Sequence, residues 1–209
     1  FSVRGCNTMA NFNLTDNGTF TSSVAGAVAS SRDLTTTVPQ DRSALEGTEN
    51  LLLYKLDQVR QANPGSHDEI DILARLSRHY ISQDQFDKSM DCLGSAIVSA
   101  EKLYGKQHPV VAELLVESAF VAFKVEKFDD ALEFLTPAVD IYEACYGRVS
   151  DQVAFAFHKL GRVYEAVNQY DVAENYYQKA ETTYQNTFND DDSEIFIVRN
   201  DLARVRSVK

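Results

Sequence analysis

Apolar positions recur along this chain at helical spacing, and the helical pattern itself recurs. Ile70, Leu73, Leu76 and Tyr80 fall on one helical face, and a second apolar face follows over about 86–103. The next pair of faces is Ala112, Leu115, Ser118 and Ala122, then Phe128, Ala131, Leu135 and Ala138. A third pair is Ala154, Phe157, Leu160, Gly161 and Tyr164, then Tyr170, Ala173, Tyr177 and Ala180. Tyr104-Gly105 returns as Tyr146-Gly147, and 146 minus 104 is 42. Phe86, Phe128 and Tyr170 keep that interval, as do Leu93, Leu135 and Tyr177, and Ala96, Ala138 and Ala180. Columns that align without a gap at this period predict a solenoid of stacked helix pairs.

The pattern divides the chain. Residues 1–43 show no sustained period and are rich in Asn, Thr, Ser and Gly, so they predict an extended, low-complexity arm, disordered alone. Pro39 closes the arm, and Asp41 or Ser43 is placed to cap a helix over 44–63. That helix carries Leu45, Leu51, Leu52, Leu53, Leu56 and Val59, and it predicts an N-terminal cap on the first repeat. Repeats are expected at about 68–104, 110–146 and 152–188, with Gln83-Asp84 at the first turn. Pro137 inside the second helix of repeat two predicts a kink or strained hydrogen bonding. Asp190-Asp191-Asp192 suits the start of a last helix, where the dipole is positive. Leu202 lies 42 residues after Leu160, so 192–206 reads as a terminal half repeat.

Small residues at 96, 138 and 180, with Ala131, Ala173 and Gly161, let paired helices approach closely. The aromatics at 86, 128 and 170 wedge each turn, and burying one such ring contributes about 1.5–3 kcal/mol. Leu160-Gly161-x-x-Tyr164 followed by Tyr170, Ala173, Tyr177 and Ala180 resembles the tetratricopeptide repeat. The period of 42 and Tyr104-Gly105-x-x-His108-Pro109 are similar to the longer repeat of the kinesin light chain type. The resemblance covers about 66–206 and implies an all-α fold, an α-α superhelix of about three helix pairs with capping helices at both ends. Ser118-Ala119 replaces the Leu-Gly pair in repeat two, and Ser89 stands in a column of Ala; both are expected to weaken packing slightly.

Composition narrows the function. The chain of 209 residues carries net charge −11, and the arm is neutral, so the excess sits on the repeats. Such a balance disfavours nucleic acid and anionic membrane surfaces. No apolar run approaches the ~20 residues of a bilayer span, so the chain is expected to be soluble and not membrane-spanning. Cys6, Cys92 and Cys145 form no disulfide framework, which favours an intracellular, reducing compartment. A first residue Phe1 rather than Met fits either a form left by presequence removal, as for a mitochondrion or plastid, or a truncated chain. Asn13-Leu14-Thr15 and Asn17-Gly18-Thr19 match the glycosylation pattern, which chance explains more readily.

The resemblance implies that the first helix of each pair lines a concave groove. By register, the inner positions include Arg78 in repeat one, Phe120, Phe123 and Lys124 in repeat two, Phe155, His158 and Arg162 in repeat three, and Asn200 and Arg204 in the last helix. Arg78, Phe120, Arg162 and Arg204 form one column, a seat for an acidic peptide segment. The competing expectation is that these arginines pair with acids of the next helix. His108 before Pro109 is expected to cap a helix. The four histidines have no ligand-like spacing, and no phosphate loop or nucleophile elbow is present, so no cofactor, metal or catalysis is expected. Two functions remain: a non-catalytic module binding a protein partner in its groove, or an accessory subunit of a large assembly, in a mitochondrion or plastid, anchored by its arm.

Overall fold

The sequence period is also a backbone period. In the computed structural model, three helices begin after the N-caps Ser66, His108 and Ser150, each 42 residues from the next. Ser66 Oγ accepts from the Glu69 amide, His108 Nδ1 from the Val110 amide and Ser150 Oγ from the Val153 amide. Each bond satisfies an amide that the helix leaves without a partner. His108 is followed by Pro109, which has no amide to satisfy there. Asp84, Glu126 and Asn168, again 42 apart, take left-handed φ of 56°, 59° and 60° between paired helices. Gly105 and Gly147, with φ of 88° and 83°, end the first two pairs where a side chain would be strained.

The structure describes residues 11–14, 20–23, 42–187 and 193–208, with side chains from Gly47 onward. It contains β1 (Asn11–Leu14), β2 (Phe20–Ser23), α1 (Arg42–Ala62), α2 (His67–Ser82), α3 (Phe86–Tyr104), α4 (Pro109–Lys124), α5 (Phe128–Tyr146), α6 (Asp151–Ala166), α7 (Tyr170–Thr187) and α8 (Ser193–Val208). Two compact units are distinguished, Phe1–Leu51 and Leu52–Lys209.

In the first unit β1 and β2 pair antiparallel, with Asn11 opposite Ser23 and Leu14 opposite Phe20. This departs from the extended arm expected there. The physical reason is in the sequence: Phe12 and Leu14 alternate with Asn in one segment, and Phe20 and Thr21 begin the other, all residue types that suit paired strands. Pro39, Asp41, Asn17 and the remaining arm residues lie outside the described residues, as do Phe188-Asn189 and Asp190-Asp191-Asp192.

The second unit is an all-α superhelix. The helices pair as α2 with α3, α4 with α5 and α6 with α7, and each pair packs on the next, ending on α8. The columns explain the stacking. Val111, Val153 and Ile195 are buried, as are Leu114, Ala156 and Val198, and Val121, Val163 and Val205. Each trio is spaced by 42, so α8 repeats the buried face of α4 and α6. Leu56 of α1 is buried, with Leu52 and Val59 packed beside it.

Close approach between paired helices uses a matched set of sizes. Gly161 lies under Tyr177, where a Cβ would meet ring carbons at 2.6 Å. The equivalent pair in repeat two is Ala119 and Leu135, both buried. In repeat one the small position is Ser77, whose hydroxyl bonds Ser89 across the helix pair at 2.9 Å. Ser89 therefore joins its helix to the neighbour rather than only loosening it. Pro137 is exposed and α5 runs through it from Phe128 to Tyr146. On that face a carbonyl that has lost its amide donor meets solvent.

Candidate concave interaction face

The first helices of successive pairs touch through residues 39 apart. Arg78 of α2 meets Glu117 of α4, Nη2 to Oε1 at 2.7 Å. The Arg162 guanidinium of α6 lies 5.6 Å from the Phe123 ring centroid of α4. Arg204 of α8 makes two parallel bonds to Glu165 of α6, at 2.7 and 2.8 Å. The last two contacts are the same pair of columns, since 165 minus 123 and 204 minus 162 are both 42. One repeat fills it with a ring and a cation, the next with an ion pair.

Several residues read from sequence as groove lining are therefore engaged within the fold. Arg78 and Arg204 pair with acids of the neighbouring helix, which matches the competing expectation stated for them. Arg204 Nη1 also reaches Asp201 Oδ1 at 2.8 Å. His158 is only 5% exposed, and its Nε2 donates to Asp201 Oδ2 at 2.7 Å. A ring held this way is part of the interior, so the placement of His158 on an open groove is corrected. Burial pulls its pKa below the ordinary value, with Asp201 opposing. Hydrogen bonding to His158 and the charges of His158 and Arg204 hold Asp201 below the usual carboxylate range against the opposing effect of burial. Tyr177 completes this network by donating to Glu165 Oε2 at 2.6 Å.

The remaining predicted residues lie on α4, α6 and α8. Phe120, Phe123 and Phe155 are half-buried, and Lys124 is exposed at the end of α4. Lys124 Nζ stands 5.4 Å over the Phe120 ring, and Lys159 Nζ 4.7 Å over Phe155. With Arg162 over Phe123, three rings of α4 and α6 each have a cation above them. Such contacts are worth about 0.5–1 kcal/mol at exposed sites and hold rings and charges in place. Sequence reasoning missed Lys159, although its position one turn after Phe155 on the same helix was the available signal. Asn200 is exposed on α8.

An open recess of about 680 Å³ lies at the α6–α7 turn, lined by Asn168, Gln169, Tyr170, Asp171, Val172 and Val208. None of the predicted site residues borders it. Among the described residues no cluster of His, Cys, Asp and Glu has the makings of a metal site, and no helix is long and apolar enough to cross a membrane.

Comparison with known proteins agrees with this geometry. The tetratricopeptide repeat family model matches residues 110–186. A clustered mitochondria protein homolog of Candida albicans is 24% identical over 151 residues, covering 72% of this chain and 11% of that protein. The Xenopus tropicalis homolog of the same name is 29% identical over 111 residues, covering 53% of this chain and 9% of that protein. The chain thus spans about a tenth of the length of these relatives. Among solved structures, BtubC (BKLC) of P. vanneervenii superposes with TM-score 0.73 at 18% identity, covering 80% of this chain and 67% of that one. A putative kinesin light chain repeat protein of Podosopora anserina gives TM-score 0.69 at 17% identity, covering 79% and 78%. At these identities the structural likeness speaks to the fold.

Proposed function

We propose that this chain, which is built of tetratricopeptide repeats with a kinesin light chain-like period, is a non-catalytic protein-interaction module that binds a partner segment on its concave face. The observation that carries the reading is the patch of Phe120, Phe123 and Phe155 with Lys124, Lys159 and Arg162 on α4 and α6. Half-buried rings give anchor surface, and cations above them select carboxylates. An acidic segment with apolar or aromatic side chains fits this chemistry and suits the overall negative charge, which repels acidic chains everywhere else.

The name shared by these relatives, clustered mitochondria protein, supports a role of this chain beside mitochondria as part of the same proposal. The alternative of an accessory subunit rested on residues 1–43, most of which lie outside the described residues.

The test is a selection of twelve-residue peptides displayed against the chain, then calorimetry with the best binder. The Lys124→Glu, Arg162→Glu double variant is expected to weaken that peptide by tenfold or more, about 1.4 kcal/mol, with unchanged helical content. A selected set without acidic residues, or equal affinity for the variant, would overturn the reading.

A further inference from the structure

Arg78 serves only one oxygen of Glu117. Its Nε and Nη2 both donate to Oε1, at 3.1 and 2.7 Å. The other oxygen, Oε2, is enclosed and has no hydrogen-bond partner, in a residue only 6% exposed. Buried acceptors without donors are rare, because each forfeits about 1–3 kcal/mol of solvation. One turn earlier on α4, Glu113 lies close enough for its charge and that of Glu117 to act on each other. No hydrogen bond to the Glu113 carboxylate is found among the described residues. From α5, the buried Tyr142 feels both carboxylates, together with Tyr146 and with Asp151 at the start of α6.

Two carboxylates thus converge on α4, and Arg78 is the cation that answers them. Burial, then the Glu117 charge, raises the Glu113 carboxyl to about 7, with Arg78 opposing. Burial likewise raises Glu117, with Arg78 opposing. Of this pair, Glu117 Oε2 is the buried acceptor left without a donor.

We propose that Glu113 and Glu117, with Tyr142 behind them, receive one basic side chain of a protein partner. An ammonium or guanidinium brings several donors and a full positive charge, which is the complement these groups lack. A metal ion is a poorer fit, since no third ligand closes on the pair among the described residues and hard cations take six or more oxygens.

Placement on α4 also gives a register, which rests on the docking role proposed for this face. Glu113 and Lys124 are eleven residues apart, about 16 Å along a helix. An extended partner covers that distance in about five residues. The partner segment therefore carries a basic residue about five positions from the acidic residue that meets Lys124.

The test uses the whole chain with ¹³C-labelled glutamate, titrated near pH 8 with n-butylammonium and methylguanidinium. Tetramethylammonium, which has no N–H, is the control at equal ionic strength. The Glu113 and Glu117 carboxyl signals are expected to shift along a saturating curve in the millimolar range, several-fold further than that of exposed Glu126. The curve at Glu117 is expected to disappear in Glu113→Gln, whose circular dichroism stays unchanged. The Glu113 midpoint is expected to fall by about one pH unit when the cation is present, a tenfold preference for the ionised form. Three results would each overturn the proposal: shifts that stay linear and match Glu126, an equal response to tetramethylammonium, or a midpoint near 7 that the cation does not move. The last would mean that the two carboxylates simply share a proton. Because the probe is a small cation, failure here is read separately from failure of the acidic peptide at the aromatic patch.

Discussion

The contact between α6 and α8 and the contact between α4 and α6 use the same columns of the repeat with different chemistry. At α6–α8, Glu165 accepts from Arg204 and from Tyr177, while Asp201 accepts from His158 and pairs with Arg204. At α4–α6 the same columns hold Phe123 under Arg162, and on the α2 side of α4, Glu117 keeps an unused oxygen. The stacking geometry is shared, so the difference lies in the side chains alone. The closed network joins helices to one another. In the middle, rings stand under cations and Glu117 Oε2 has no donor, and the proposed docking role rests on that difference.

The largest expected effect breaks the closed region from beneath. Gly161→Val would drive a branched side chain into the Tyr177 ring, which already stands 2.6 Å from where a Cβ would sit. Tyr177 is buried and held by Glu165, so it has little room to give way. A loss of about 3 kcal/mol is expected, seen as a lower urea midpoint. A loss under about 0.5 kcal/mol would place the ring elsewhere.

A smaller effect separates the two regions by pH. His158 is held below its ordinary 6.5 mainly by burial, so on acidification the unfolded chain takes a proton that the folded chain refuses. Stability at α8 therefore rises with pH up to about 6.5. Asp201, held below 3.8, adds a contribution that is lost only at still lower pH. Glu113 behaves in the opposite sense. Its pKa is raised from 4.5 to about 7, so its contribution is complete below 4.5 and is lost as pH rises towards 7. Between pH 5 and 7, hydrogen-exchange protection corrected for intrinsic rates is expected to rise in α8 and fall in α4. The slope for one proton is at most about tenfold per pH unit. Parallel slopes in the two helices would contradict these environments.

Much of this fold could be read from residue spacing. Columns such as Leu93, Leu135 and Tyr177 align without a gap, and the caps at 66, 108 and 150 share the period, so helix number and stacking order follow from the pattern. The site was harder to read. The contacts that decide it join adjacent columns on different helices at a separation of 39, an offset set by the stagger of the stacked pairs. The three arginines of the column Arg78, Phe120, Arg162 and Arg204 look alike in sequence, yet Arg78 and Arg204 pair with Glu117 and Glu165 while Arg162 lies over Phe123. Ser77 and Ser89 were similarly opaque, because each looks like a weak packing choice until the other is placed beside it. His158 sits at an inner position by register, but Asp201 of α8 draws it inside.

A double-mutant cycle bears most directly on the equivalence of positions 42 apart. Ala119 and Leu135 of repeat two correspond to Gly161 and Tyr177 of repeat three. Leu135→Phe alone is expected to overpack repeat two, and Ala119→Gly alone to weaken α4 by about 0.5–1 kcal/mol. Together they recreate the small-under-large arrangement of repeat three, so urea denaturation should show a favourable coupling of about 1–2 kcal/mol. Losses that simply add, within about 0.5 kcal/mol, would contradict the equivalence.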